Sequence, residues 1–317
     1  MPLRNGTAHT PDGDRLAWTL HGDGPSMLVM NGLVSSVDPH WTRWVRHYQA
    51  RFSVLTWDYR GHGASAPPRD FSAVSMEQFA DDGAAVLNAA AVKRPAVVCG
   101  LSMGVQTALE FYVRYPQDVR ALVLLCGTAG HVLNGLHHSE KLRKTMTSVA
   151  HRLEAIPPRL FDLLASPLVR TPLGRELAYL SGGVVRGATS PEEVDAIFQH
   201  ATKRDPRLVA RIAASYMNHT TWHILPSIAV PTLIIGGDRD DLVPVATVRA
   251  MHAQIPRSEL HIVRGHGHLA QVEKAAEVHA VVDAFLARHG VGSADTGIAG
   301  APRCGDRRRT WARTAAG

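Results

Sequence analysis

The run Val97-Val98-Cys99-Gly100-Leu101-Ser102-Met103-Gly104-Val105-Gln106-Thr107-Ala108 constrains this chain more than any other stretch. A strand-length apolar segment breaks at Gly-x-Ser-x-Gly and resumes with helical character through Thr107, Ala108, Phe111 and Tyr112. A side chain can stand on so sharp a strand-to-helix corner only if the residues beneath it are small, and Gly100 and Gly104 supply that clearance. The corner lifts the Ser102 hydroxyl above a sheet, beside a helix N-terminus whose free N–H groups can bind developing negative charge.

The remaining apolar runs build a sheet around that corner. Thr7 to His9 and Leu16 to Leu20 flank the turn Pro11-Asp12-Gly13-Asp14 and predict a hairpin. Met27 to Met30, Phe52 to Trp57, Ala121 to Cys126, Thr232 to Ile235 and Glu259 to Val263 predict further strands. Between them, Trp41, Trp44, Val45 and Tyr48 recur at helical spacing as a core-facing stripe, and helices are expected over 75–91, 246–254 and 270–288. Alternating strands and helices define a mostly parallel sheet covered on both faces. That rhythm stops between 131 and 226, where prolines and Gly182-Gly183 punctuate helical pieces. A block this long predicts a helical cap inserted between two parts of the core, 1–130 and 227–290. Residues 291–317 carry little to bury and are expected to be a disordered basic tail.

Composition narrows the classes. The 317 residues, 45% hydrophobic, suffice for a large α/β core. No apolar stretch reaches the length of a membrane span, and no secretory signal is visible at the start, so no membrane partner is expected. Three cysteines without framework spacing, Cys99 and Cys126 in apolar runs and Cys304 in the tail, point to a reducing, cytoplasmic setting. Of the +6 net charge, Arg303, Arg307, Arg308, Arg309 and Arg313 against Asp295 and Asp306 supply half. The body of the chain has no basic helix or aromatic-interleaved patch, so no nucleic-acid partner is expected.

A serine hydroxyl needs a base to become a nucleophile, and the base needs an orienting partner. Two loops that follow apolar strands offer both: Gly237-Asp238-Arg239-Asp240-Asp241 and Gly265-His266-Gly267-His268. Loops at the carboxyl ends of parallel strands converge, so these should meet Ser102. Either His266 or His268 could serve as base. His261, His266 and His268 could also be read as metal ligands, but no H-E-x-x-H or companion carboxylate motif accompanies them, so neither metal nor cofactor is expected. The loop Asp58-Tyr59-Arg60-Gly61-His62-Gly63-Ala64-Ser65 lacks the Lys-Ser/Thr pair of a phosphate loop; Asp58 and Arg60 read as loop-fixing residues.

From about residue 7 to 290 the chain resembles the α/β-hydrolase superfamily, in its serine-nucleophile branch with a helical cap, closest in flavour to small-molecule esterases and enol-lactonases. The resemblance is carried by Asn31-Gly32-Leu33, by Asp58 to Ser65, by Gly100 to Gly104, by Gly237 to Asp240 with Pro244, and by Gly267-His268 with Glu273. It implies Ser102 as nucleophile, Asp240 as acid, with Asp238 and Asp241 turn-forming or solvated, and His268 as base. The backbone N–H groups of Leu33 and Met103 would form the oxyanion hole. The alternative acid position after the preceding strand is empty, since 121–139 holds no carboxylate. Two departures stand out: Asn31 where many relatives carry histidine, and Val105 where a second glycine is common.

The activity implied is hydrolysis of a small carboxylic ester or lactone through an acyl-enzyme. The same triad also suits carbon–carbon hydrolysis, perhydrolysis, acyl transfer, or a weakly catalytic ligand-binding receptor. Phe161, Tyr179, Phe198, Tyr216 and Trp222 in the insertion hint at an apolar ligand. The oligomeric state is not readable from the sequence.

Overall fold

The computed structural model describes residues 3–33, 40–130, 148, 152 and 205–292. Eight strands form one sheet: β1 (Leu3–His9), β2 (Arg15–His21), β3 (Ser26–Met30), β4 (Ser53–Trp57), β5 (Ala96–Leu101), β6 (Val119–Leu125), β7 (Thr232–Gly237) and β8 (Ser258–Val263). Their order is β1-β2-β4-β3-β5-β6-β7-β8. The hairpin β1–β2 pairs antiparallel from Leu3↔His21 to His9↔Arg15, and β2 joins β4 antiparallel. Every pairing from β4 to β8 is parallel. This is the doubly covered, mostly parallel α/β-hydrolase sheet expected from the sequence.

The apolar runs acquire two faces because successive side chains of a strand alternate. Leu28, Met30, Leu55, Val98, Leu122 and Leu124 join a core with α2 (Met76–Ala90), α3 (Met103–Arg114) and α5 (Val245–Gln254). Their neighbours Met27, Val29, Val54, Val97, Cys99 and Val123 face the opposite core, with α1 (Thr42–Tyr48) and α7 (Ala275–Arg288). Burial on both faces is why β3, β4, β5 and β7, buried at every position, are so largely apolar. The aromatic stripe of α1 is indeed core: Trp41 and Tyr48 are fully buried.

One element differs from expectation. The single helix predicted over 270–288 is two, α6 (Ala270–Glu273) and α7, because Lys274 leaves helical geometry at φ −120°, ψ 41°. The Arg43 guanidinium takes the Val272 carbonyl at this break. The separate short turn lets Glu273 reach back to the preceding loop.

Of the predicted insertion, 131–147, 149–151 and 153–204 lie outside the described residues, as do 293–317 of the predicted tail. Its C-terminal part forms α4 (Pro206–Asn218), capped by the Asp205 side chain on the Arg207 N–H and opened by Pro206 at the first helical position. Leu208, Ile212 and Tyr216, four residues apart, put one face of α4 into the same core as Met103 and Phe79. Among the described residues, no helix is long and apolar enough to cross a membrane.

Candidate active site

Ser102 sits between β5 and α3 at φ 56°, ψ −119°, outside the usual regions for an L-residue. Such backbone costs about 1–3 kcal/mol and persists only where its surroundings enforce it. Here they do. The Ser102 N–H bonds the Leu125 carbonyl at 2.8 Å, which fixes the corner to β6. A Cβ on Gly100 would lie 2.3 Å from the Gly104 oxygen, and one on Gly104 would lie 2.2 Å from the Met30 oxygen. Both glycines are therefore required by close backbone approach. Val105, the unusual residue, is fully buried, and its room comes from Gly127, where a Cβ would meet Val105 Cγ2 and the Ser102 oxygen, each at 2.4 Å.

The loops after β7 and β8 are laced together before either touches the serine. The Arg239 N–H bonds the His266 carbonyl at 3.0 Å, and Asp238 accepts the Gly265 N–H at 2.6 Å, a turn-forming role as expected. Gly237 lets the backbones meet, since a Cβ there would lie 2.2 Å from the His266 oxygen. Between them Asp240 is buried: its Oδ1 accepts the Leu242 and Val243 N–H groups at 3.0 and 2.9 Å. Its Oδ2 stands 2.8 Å from His268 Nδ1. On the other side of the ring, His268 Nε2 is 2.7 Å from Ser102 Oγ. A carboxylate partner makes Nδ1 the protonated nitrogen, so Nε2 is the acceptor of the hydrogen bond from the Ser102 hydroxyl.

The rival base His266, and His261 beyond it, are engaged elsewhere. His266 Nδ1 lies 2.8 Å from Glu273, whose side chain is fully buried, and His261 lies 2.8 Å from Glu277. Burial pushes the thiols of Cys99 and Cys126 well up, so neither competes as a nucleophile.

The two predicted amide donors come from adjoining segments. Met103 opens α3, where an N–H has no intrahelical acceptor, and the missing Cβ of Gly104 lets that helix start press on Met30 and Asn31, just before Leu33. Asn31 has a definite task of its own. Its buried amide donates to the Trp57 carbonyl at 2.7 Å and accepts the Trp41 indole at 2.9 Å, while its carbonyl accepts Tyr59 Oη at 3.0 Å. His62, in the loop that follows β4, lies buried between the Arg60 and Leu33 carbonyls, at 3.0 and 3.3 Å. Arg60 anchors that loop from a fully buried position, bonding Asp82 through two nitrogens at 2.7 Å each, Asp14 at 2.6 Å, and Asp12. The loop-fixing role of Arg60 was legible; its partners, scattered over the hairpin turn and α2, were not.

One residue gained a sharper position than its sequence allowed. Tyr216, read only as one aromatic among several in the insertion, is on the buried face of α4, in the same core as Met103, the residue after Ser102. The four-residue spacing Leu208, Ile212, Tyr216 was the available signal.

This constellation, a strained serine at a strand-to-helix corner with acid and imidazole on later strand ends, defines a hydrolase-type α/β site. Residues 25–275 match the model of the alpha/beta hydrolase fold, and the chain belongs to that family. The chain is 27% identical over 303 residues to 2-hydroxy-6-oxononadienedioate/2-hydroxy-6-oxononatrienedioate hydrolase of Pseudomonas sp, covering 90% of this chain and 93% of that protein. Its structure is similar to that of a thermophilic esterase from Thermogutta terrifontis, with TM-score 0.73, 24% identity, and 90% and 99% of the two chains covered. It is also similar to the enol-lactonase from Burkholderia xenovorans, with TM-score 0.69, 22% identity, and 89% and 100% covered.

Proposed function

We propose that this protein is a serine hydrolase that cleaves a small carboxylic ester or lactone through an acyl-enzyme. The observation that carries this reading is the unbroken hydrogen-bond chain Asp240–His268–Ser102, at 2.8 and 2.7 Å. Ser102 Oγ bonds to the carbonyl carbon as its proton passes to His268 Nε2. The bond from that carbon to the leaving oxygen then breaks, and the Nε2 proton goes to the departing alcohol. Water gives its proton to His268, adds to the acyl carbon, and Ser102 departs with the proton returned. Asp240 keeps the ring in its tautomer and stabilises the imidazolium. The Met103 and Leu33 N–H groups hold the oxyanion, a role worth about a hundred- to a thousand-fold in turnover per donor.

Ser102→Ala is expected to lower turnover of 4-nitrophenyl acetate by about a million-fold. A fluorophosphonate should label the wild-type protein once and leave the variant unlabelled. Ordinary turnover by the variant would overturn the mechanism. A second reading, hydrolysis of a carbon–carbon bond on the same three residues, is favoured by the Pseudomonas relative, whose likeness spans nearly the whole of both chains. Product analysis on a vinylogous 1,5-diketone against an aryl ester separates the two.

A further inference from the structure

Tyr216 presents a hydroxyl group that the mechanism above does not use. The residue is 5% exposed on α4, and its oxygen makes no hydrogen bond to any described residue. Tyr216 nevertheless belongs to the same buried core as Met103, the residue after Ser102, and its ionisation responds to the Ser102 side chain and to the charge of Asp240. Burial and that charge raise the Tyr216 pKa, so the group is an O–H donor throughout the neutral range. A buried donor without an acceptor is costly and is normally matched by a ligand or water.

The acceptors of a bound ester can be assigned in turn. The carbonyl oxygen faces the amides of Met103 and Leu33, and the leaving oxygen must meet His268 Nε2 to receive its proton. The acyl chain is what remains beside Ser102 Oγ, and its first atoms beyond the carbonyl carbon lie closest. A plain alkyl chain there leaves the Tyr216 donor unsatisfied, whereas an oxygen on that carbon accepts from it.

We propose that Tyr216 is a specificity-determining residue that donates a hydrogen bond to an oxygen on the carbon next to the scissile carbonyl, selecting α-oxygenated acyl groups. This rests on the acyl-enzyme reading of Ser102.

The test compares 4-nitrophenyl methoxyacetate with 4-nitrophenyl butyrate, which differ by one oxygen in place of a methylene. The ratio of their kcat/KM values in the wild type, divided by the same ratio in Tyr216→Phe, cancels their intrinsic reactivities. It should be roughly five- to ten-fold, the worth of one neutral hydrogen bond. The melting temperature of Tyr216→Phe should be no lower than that of the wild type, because the hydroxyl makes no hydrogen bond to any described residue. A quotient near one, or a lowered melting temperature with equal losses on both esters, overturns the proposal. If the wild type turns over neither ester, the acyl-enzyme reading fails by itself. The same quotient is then taken from dissociation constants of the intact esters, measured by thermal shift on Ser102→Ala with and without Tyr216→Phe. A quotient near one there also overturns the role of Tyr216.

Discussion

His266 and His268 stand two residues apart on one loop, and each holds a carboxylate at 2.8 Å through Nδ1, yet their situations differ. Glu273 reaches His266 from the short helix α6, so that pair ties the loop to the element immediately after it. Asp240 reaches His268 from the loop of another strand, 28 residues away, and the far side of the His268 ring meets Ser102. The same two side-chain types therefore make a local brace in one case and a bridge across the sheet in the other. What separates them is the partner of the second ring nitrogen, not the strength of the carboxylate contact.

Substitutions at the two rings test this most severely. His268→Ala should lose about a million-fold in kcat, as removal of a base coupled to its nucleophile does. His266→Ala should lose no more than about a hundred-fold, the scale of a displaced loop. Comparable losses at both positions would erase the distinction. The carboxylates come next: Asp240→Asn should cost about ten-thousand-fold in kcat through the wrong tautomer, whereas Glu273→Gln should act mainly on melting temperature. A Glu273→Gln enzyme as inactive as Asp240→Asn would mean that the brace belongs to the chemistry.

A smaller effect is expected from behind the serine. Gly127→Ala drives a methyl against the Ser102 carbonyl and Val105, so it should destabilise by about 1–3 kcal/mol and lower kcat without altering either histidine pair. Chemical denaturation and esterase assays on one preparation measure both. Unaltered stability and kcat would show that the corner yields easily.

The smallest effect separates pH loss of fold from pH loss of chemistry. His279 on α7 stacks on His47 at 4.3 Å, and burial, with the neighbouring His47, lowers its pKa to about 4. The unfolded chain, with an ordinary histidine pKa near 6.5, takes up the proton first on acidification. This contribution to stability is therefore complete above about pH 6.5 and is lost progressively as pH falls toward 4. Melting temperatures measured between pH 7 and 4.5 should fall less in His279→Gln than in the wild type. An identical slope would remove His279 as the cause.

Legibility from sequence followed how locally each feature is determined. The central strands were readable because burial on both faces makes them largely apolar, and the hairpin because Gly13 and its polar neighbours mark the turn. Ser102, the Asp240 loop and the His268 loop were readable as corner and strand-end chemistry. Of the paired aspartates, Asp238 meets Gly265 as a turn former should, and Asp240 meets His268. Partnerships across the chain were harder. Nothing in the spacing of Asp12, Asp14 and Asp82 announces a shared guanidinium, and the apolar pattern of 270–288 runs smoothly through the break at Lys274. Tyr216 was obscured by its setting in a proline-punctuated insertion, on the thirteen-residue helix α4.

The anchoring of Asn31 has a consequence for how the pocket can vary. With its amide committed to Trp57 of β4 and to Trp41 at the start of α1, and its carbonyl to Tyr59, the floor under the proposed carbonyl-binding amides is bolted to a strand, the loop after it and a helix start. It cannot tilt to follow a bulkier guest. New ligand preferences in this protein must therefore be written in the roof, beginning with the inward face of the helix that carries Tyr216.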